Sequence, residues 1–124
     1  MGSSDTDEPA VIKRALALLS ALCALLLAAP AYAAQPDGAV ETAWRLLDYI
    51  AVDYSGAVSN GQVTNDPEYA EMSEFSGTVE GHLRTLDANP AKAGLLREAQ
   101  VLRQAIASKA DPDRVATLAR ALGA

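Results

Sequence analysis

The sequence has few of the residues on which most small enzymes and metal sites depend. Its single cysteine, Cys23, lies in an apolar run near the N-terminus, so the rest of the chain has no thiol for a disulfide, a cysteine zinc site or c-type haem attachment. The single histidine, His82, has no recognisable Ser/His/Asp partners, and no glycine-rich phosphate loop follows a strand. Basic residues do not cluster with aromatic ones, as they do in nucleic-acid-binding proteins. We therefore expect neither an enzyme nor a nucleic-acid-binding protein.

The N-terminal part of the chain has the pattern of an export signal. Lys13 and Arg14 precede an uncharged run that is strongly apolar over residues 15–29, and an Ala-Tyr-Ala motif follows it. A short apolar segment with small residues at a cleavage site is typical of a signal peptide. We predict that residues 1–33 are removed and that residues 34–124 form the exported domain. The alternative is an uncleaved membrane anchor, because the run is just long enough to span ~30 Å of hydrocarbon.

Four segments of helical periodicity follow this leader. The first is predicted over about residues 38–54. The others begin at Asn65-Asp66-Pro67, Asn89-Pro90 and Asp111-Pro112, where Asn or Asp can cap free N–H groups and proline suits the first turn. The predicted buried positions are Val40, Trp44, Leu47, Ala51 and Tyr54; Tyr69, Met72, Phe75, Val79, Leu83 and Leu86; Leu95, Ala99, Leu102 and Ile106; and Val115, Leu118 and Leu122. Short connections predict antiparallel neighbours, and hence an all-α antiparallel bundle of about four helices.

The segment between the first two helices has the sequence of a tight turn. Asn60-Gly61 lies between Val58 and Val63, a pattern typical of a two-residue hairpin. An isolated two-stranded hairpin is marginally stable in water. We therefore predict an ordered loop with at most one short β-bridge.

Charge is unevenly distributed along the exported domain. Residues 37–87 contain ten acidic and two basic residues, whereas residues 88–124 contain three acidic and six basic ones. This asymmetry predicts that the first two helices present a cation-attracting face, and that the last two pack beside them partly through charge complementarity.

Three glutamates in the second helix are candidate metal ligands. Glu68, Glu71 and Glu74 are spaced three residues apart, so on a helix they spread over ~120° and climb ~9 Å. Neighbouring pairs can therefore share a cation, whereas the outer two cannot. Asp53 is the fourth candidate, because a carboxylate near the end of the first helix opposes the helix dipole. The alternative is an ordinary solvated helix face, with Glu68 closing a capping box with Asn65.

The stretch over residues 47–75 resembles a known family. It is similar to the N-terminal periplasmic region of bacterial high-affinity iron permeases, notably the long members with a fused cytochrome c module. The matching residues are Leu47-Asp48-Tyr49-Ile50, Asp53-Tyr54, Val58, Gly61, Val63, Glu68-Tyr69, Glu71 and Glu74-Phe75. The resemblance covers residues 40–123.

This resemblance implies a non-enzymatic, periplasmic accessory domain of an iron-uptake system. The partners it implies are the permease membrane domain, a cytochrome c module, or both, with contact to the membrane only through a partner or an uncleaved leader. It implies no cofactor in this chain, and an iron ion bound weakly by the acidic face. Carboxylates also suit Mg, Ca and Mn, so the residues themselves do not supply iron selectivity. The alternative functions are a docking module that binds no metal, or an exported bundle of unrelated role.

The chain also departs from the permeases. Their Arg-Glu-x-x-Glu iron motifs belong to transmembrane helices, and no arginine precedes the pairs Glu68/Glu71 and Glu71/Glu74 in this sequence. The chain has no Cys-x-x-Cys-His haem site and no permease helix. We therefore expect a truncated gene product or a stand-alone relative, and no transport by this chain alone.

Overall fold

Four helices and a short hairpin make up the part of the chain that the computed structural model describes, residues 36–124. The predicted leader, residues 1–33, lies outside the described residues. The elements are α1 (Pro36–Ala57), β1 (Val58–Ser59), β2 (Gln62–Val63), α2 (Asp66–Thr85), α3 (Lys92–Ala107) and α4 (Pro112–Leu122). The predicted all-α bundle is confirmed.

The predicted starts of α2 and α4 are confirmed by their hydrogen bonds. The side chain of Asn65 accepts a bond from the backbone N–H of Glu68 at 3.3 Å, and that of Asp111 accepts one from Asp113 at 2.9 Å. α3 begins at Lys92, after the predicted Asn89-Pro90 start, and its N-cap residue Ala91 makes no side-chain cap bond, although Asn89 accepts bonds from the backbone N–H groups of Ala91 and Lys92. Each of these bonds satisfies an N–H that has no partner within its own helix.

The segment predicted as an ordered loop with at most one short β-bridge instead forms a two-stranded hairpin, closed by the Asn60-Gly61 turn. Both residues have positive φ, 52° and 72°, as the favoured two-residue turn requires. The turn pairs β1 with β2 in antiparallel register, with Val58 opposite Val63. The fully buried Val58 anchors the hairpin to the core, which explains how strands of two residues are held in place.

The two residues that follow β2 cap the C-terminal end of α1. The backbone N–H groups of Thr64 and Asn65 donate to Ala57 O at 2.9 and 3.4 Å, and the Thr64 hydroxyl donates to Gly56 O at 3.1 Å. These bonds satisfy carbonyls that a helix end leaves free. Because Asn65 also caps α2, the start of α2 is held against the last turn of α1.

The four helices form a closed ring. α1 packs against α2 and α4, and α3 packs against the same two helices. Two hydrogen bonds along α1 show that α1 and α4 are antiparallel. In the first half of α1, Trp44 Nε1 donates to Gly123 O at 2.9 Å, and near its end the Tyr54 hydroxyl donates to Ala110 O at 3.0 Å.

Most of the predicted core positions lie in the core or pack against it. The fully buried larger side chains are Tyr54, Ile50, Met72, Leu102, Ile106, Val58, Val79 and Val115. The prediction is wrong for Val40 and Trp44, which are 52% and 60% exposed. The buried face of α1 instead runs through Ala43, Leu47 and Ile50. At 22 residues α1 is twice as long as α4, so α4 cannot cover the whole length of α1.

Candidate functional site

An open groove lies between the second half of α1 and the first half of α2. It has a volume of about 180 Å³, which leaves room for several water molecules. We call it the acidic groove. It is lined by Tyr49, Asp53, Glu68, Glu71, Met72 and Phe75. Three of the four predicted metal ligands therefore line the same groove.

A glycine allows one of these carboxylates to lie against α1. Glu68 Oε2 is only 2.8 Å from the point that a Cβ atom on residue 56 would occupy. Real Cβ atoms do not approach another atom so closely, so the present position of Glu68 depends on Gly56. The caps at the junction of α1 and α2 therefore place Glu68, and the glycine leaves it space.

The floor of the acidic groove is apolar. Met72 is buried, and the rings of Tyr49 and Phe75 pack with centroids 6.2 Å apart and planes tilted by 42°. Tyr49 itself is 56% exposed at the edge of the groove. The carboxylates therefore stand beside a surface of low dielectric constant, which strengthens electrostatic attraction compared with open water.

The carboxylates of the acidic groove are not neutralised by the protein. The ion pairs among the described residues join Glu41 to Arg45, and Glu80 to both Arg84 and Arg103. Within the same part of the chain, no side-chain hydrogen bond or ion pair involves the carboxylates of Asp53, Glu68 or Glu71. Their negative charge is thus available to a cation from solution.

The groove is not a preformed coordination sphere. Over residues 36–124, no three His, Cys, Asp or Glu side chains stand close enough to hold one metal ion. Glu74, the fourth predicted ligand, is exposed on α2 and does not line the acidic groove. The arrangement can attract a hydrated cation, and coordination by two or more carboxylates requires their side chains to move.

A buried carboxylate that the sequence analysis did not single out lies further along α2. Glu80 is only 3% exposed and bonds both Arg84, one turn later in α2, and Arg103 of α3. The hydrogen bond from Arg103, with the positive charges of both arginines, lowers the pKa of Glu80 although burial opposes the shift. The spacing of Glu80 and Arg84 is visible in the sequence, but the contact with Arg103 arises only from packing.

A second, apolar groove lies at the other end of α1. Its lining includes Val40, Trp44, His82, Leu86, Leu95 and Leu122, and its volume is about 160 Å³. His82 therefore lies far along α2 from Glu68 and Glu71, and lines a different groove. Val40 and Trp44 are exposed because they line this open groove.

A ring of four antiparallel helices with these grooves is the architecture of a four-helix bundle domain. The chain belongs to the family of iron permease-associated 4-helix bundle domains, whose family model matches residues 29–124. This confirms the resemblance to iron permeases and supports an accessory role in an iron permease system. Neither a search of curated proteins nor a search of solved structures finds a significant match. Within residues 36–124, no helix is long and apolar enough to cross a membrane.

Proposed function

We propose that this chain is a non-enzymatic, periplasmic accessory domain that gathers iron cations in the acidic groove and presents them to an iron permease. Membership of the permease-associated family supports the accessory role. The observation that carries the cation-binding part is the placement of Asp53, Glu68 and Glu71 around one groove without a basic partner among the described residues. The leader, predicted from sequence, supports the location.

The groove suits capture and release better than tight storage. Three carboxylates beside an apolar floor raise the local concentration of cations. Because the side chains do not form a closed coordination shell, a bound ion keeps part of its water and leaves readily. Carboxylates do not select iron over other divalent ions. Selection of iron is therefore assigned to the permease, and this domain supplies ions to it.

Calorimetric titration of ferrous iron under anaerobic conditions tests the site. Replacing Glu71 by Gln removes one charge and keeps the side-chain volume. Two unit charges ~4 Å apart in water attract by about 1 kcal/mol. For a divalent ion the loss is about twice that, so we expect affinity to fall at least tenfold. Glu98→Gln, at an exposed position of α3, is the matched control. Equal binding by the two variants would remove the assignment.

The mass of the mature protein tests the proposed location. If the leader is cleaved as predicted, protein recovered from the periplasmic fraction begins at Ala34. A protein that keeps residues 1–33 and sediments with membranes would instead support the anchor alternative.

A docking module without metal is the second candidate, and the apolar groove favours it. Trp44 is the only tryptophan in the chain and is 60% exposed there, so its fluorescence reports on anything that covers the groove. Docking to the permease, or to a cytochrome c module, predicts a blue shift on mixing. It also predicts no iron-dependent stabilisation, whereas an ion at 100 times its dissociation constant adds ~2.7 kcal/mol.

A further inference from the structure

A third groove lies on the other side of α2, between α2 and α3. It is open, has a volume of about 440 Å³, and carries positive rather than negative charge. We call it the basic groove. Its lining residues are Glu80, Arg84, Gln100, Arg103, Gln104 and Ala107.

The two arginines of the basic groove are held in place by the buried carboxylate of Glu80. Glu80 Oε2 accepts a hydrogen bond from Arg103 Nη1 at 2.5 Å, and Glu80 Oε1 accepts one from Arg84 Nη2. The Glu80 side chain is only 4% exposed, whereas those of Arg84 and Arg103 are 65% and 50% exposed. The buried end of each ion pair is thus fixed, and the arginines face the solvent.

Both arginines keep unused hydrogen-bonding capacity. A guanidinium group carries five N–H donors, and within the described part of the chain each of these two side chains makes hydrogen bonds to Glu80 alone. The remaining donors are available to a ligand in the groove. Because Glu80 has already fixed one side of each guanidinium, less side-chain freedom is lost on binding than for a free surface arginine.

The charge of the groove selects an anion. Glu80 supplies one negative charge and the arginines two positive ones, so the lining carries a net charge of +1. Gln100 and Gln104, one turn apart on α3, add neutral amide donors. Planar guanidinium groups match the oxygen geometry of phosphate, which they contact through paired N–H donors. A phosphate group between two such side chains would also meet the glutamine amides.

We propose that the basic groove binds a phosphate group between Arg84 and Arg103, with Gln100 and Gln104 donating to its remaining oxygens. This site is separate from the acidic groove and does not depend on iron binding. A phosphate group occurs both as the free ion, with four oxygens free to accept hydrogen bonds, and in phospholipid head groups, where the diester leaves two charged oxygens for the arginines.

Nuclear magnetic resonance of the arginine Nε–H groups tests this site directly. Titration with inorganic phosphate is expected to shift the signals of Arg84 and Arg103 along a saturable curve. Gln104→Glu puts a negative charge in the groove and leaves the Glu80 ion pairs intact. This variant loses the hydrogen bond from the residue 104 amide to phosphate. A hydrogen bond to a charged group contributes about 1.5–3 kcal/mol, so we expect phosphate affinity to fall at least tenfold.

Arg120→Gln is the matched control, because it removes an exposed arginine from α4, outside the basic groove. It should bind phosphate as the unaltered protein does. Equal phosphate affinity in Gln104→Glu and Arg120→Gln, or the absence of a saturable shift at Arg84 and Arg103 together with no vesicle binding, would overturn the proposal.

Sedimentation with vesicles identifies the source of the phosphate group. Vesicles of phosphatidylcholine with phosphatidylglycerol, whose phosphate charge is not offset, are compared with vesicles of phosphatidylcholine alone, whose choline group neutralises the phosphate. Sedimentation with the first only, lost in Gln104→Glu, supports the site with a lipid head group as its ligand. A saturable phosphate shift without sedimentation supports the site with the free ion as its ligand. Failure of both measurements contradicts the site.

Discussion

The two charged grooves on either side of α2 use their charges in different ways. In the basic groove, Glu80 is buried and paired with arginines from two helices, so its charge joins α2 to α3. In the acidic groove, Glu68 and Glu71 stand at the rim and have no ion-pair partner among the described residues. Charge that joins helices contributes to stability, whereas unpaired charge at a rim is free to bind ligands. Substitutions in the two grooves should therefore affect different properties.

The largest expected effect is on stability, at Glu80. Glu80→Gln leaves Arg84 and Arg103 without their shared carboxylate and puts a neutral amide in a buried site. We expect it to lower the melting temperature more than the removal of any other single charge in either groove, and to leave iron affinity unchanged.

Glu68→Gln is the matched control for this comparison. Glu68 is half-buried and makes no side-chain ion pair among the described residues, so its loss of charge should cost only the helix-dipole contribution of about 0.3–1 kcal/mol. Thermal unfolding followed by circular dichroism measures both variants. Equal melting temperatures for Glu80→Gln and Glu68→Gln would contradict the distinction between the two grooves.

The loss of stability at low pH should also depend on Glu80. Its pKa is lowered in the folded protein, so the folded state binds this proton less tightly than the unfolded state does. The stabilisation is therefore present above the ordinary glutamate pKa of about 4.3 and is lost as the pH falls through the lower, folded value. We expect Glu80→Gln to flatten the fall in melting temperature below pH ~4. If the melting temperature of Glu80→Gln falls below pH ~4 as steeply as that of the unaltered protein, carboxylates other than Glu80 cause the loss of stability in acid.

A smaller effect is expected at Tyr54, which joins the end of α1 to the segment before α4. Its hydroxyl donates to Ala110 O, and burial, together with Tyr69 and Asp111, raises its pKa to about 12. The folded state thus holds this proton more tightly, so stability is complete below pH ~10 and falls as the pH rises towards the folded value.

Tyr54→Phe should cost about 0.5–1.5 kcal/mol at neutral pH through the lost hydrogen bond. It should also reduce the loss of stability between pH 10 and the folded pKa of about 12. Tyr49→Phe removes a hydroxyl from an exposed ring of the acidic groove and is the matched control. Urea unfolding at several pH values measures both. An equal alkaline loss in Tyr54→Phe and the unaltered protein would contradict this assignment.

The smallest expected effect is on ferrous-iron affinity, at Gly56. It is also the most specific test of the geometry of the acidic groove. Gly56→Ala moves the Glu68 carboxylate away from α1 without changing any charge. Alanine also suits a helix better than glycine, by up to about 1 kcal/mol. We expect a two- to fivefold loss of ferrous-iron affinity, corresponding to about 0.4–1 kcal/mol, with stability equal or slightly higher.

Gly77→Ala is the matched control, because a Cβ atom at this position of α2 would have no neighbour within 4 Å. Calorimetric titration of both variants separates the position of Glu68 from the general effect of alanine in a helix. Equal affinities would show that the position of Glu68 against α1 does not matter for binding.

Features that depend on neighbouring residues could be predicted from the sequence. The Asn/Asp-Pro starts of α2 and α4 involve a cap and the next turn, and the Asn60-Gly61 turn involves two positive φ values. Each is decided by a few consecutive residues. The exposure of Val40 and Trp44 was not predictable in this way, because it depends on how far the short α4 extends along α1.

The candidate site was predictable to a similar extent. Helical spacing alone places Glu68 beside Glu71 and Glu71 beside Glu74, and only the packing of α1 on α2 shows that the groove includes the first pair and leaves Glu74 outside. Packing of α1 on α2 was needed to bring Asp53 beside them and to reveal Gly56 under Glu68. The pair between Glu80 and Arg103 spans 23 residues and depends on the contact of α2 with α3.

The most direct test of the account uses the paramagnetism of ferrous iron. Amide signals of the protein are followed by nuclear magnetic resonance while substoichiometric iron is added under anaerobic conditions. Binding in the acidic groove predicts that signals over residues 49–56 and 66–75 broaden first, while those of α4 stay sharp. It also predicts that this broadening disappears in the triple variant Asp53→Asn, Glu68→Gln, Glu71→Gln. No local broadening, or the same broadening in the triple variant, would contradict iron capture by this groove.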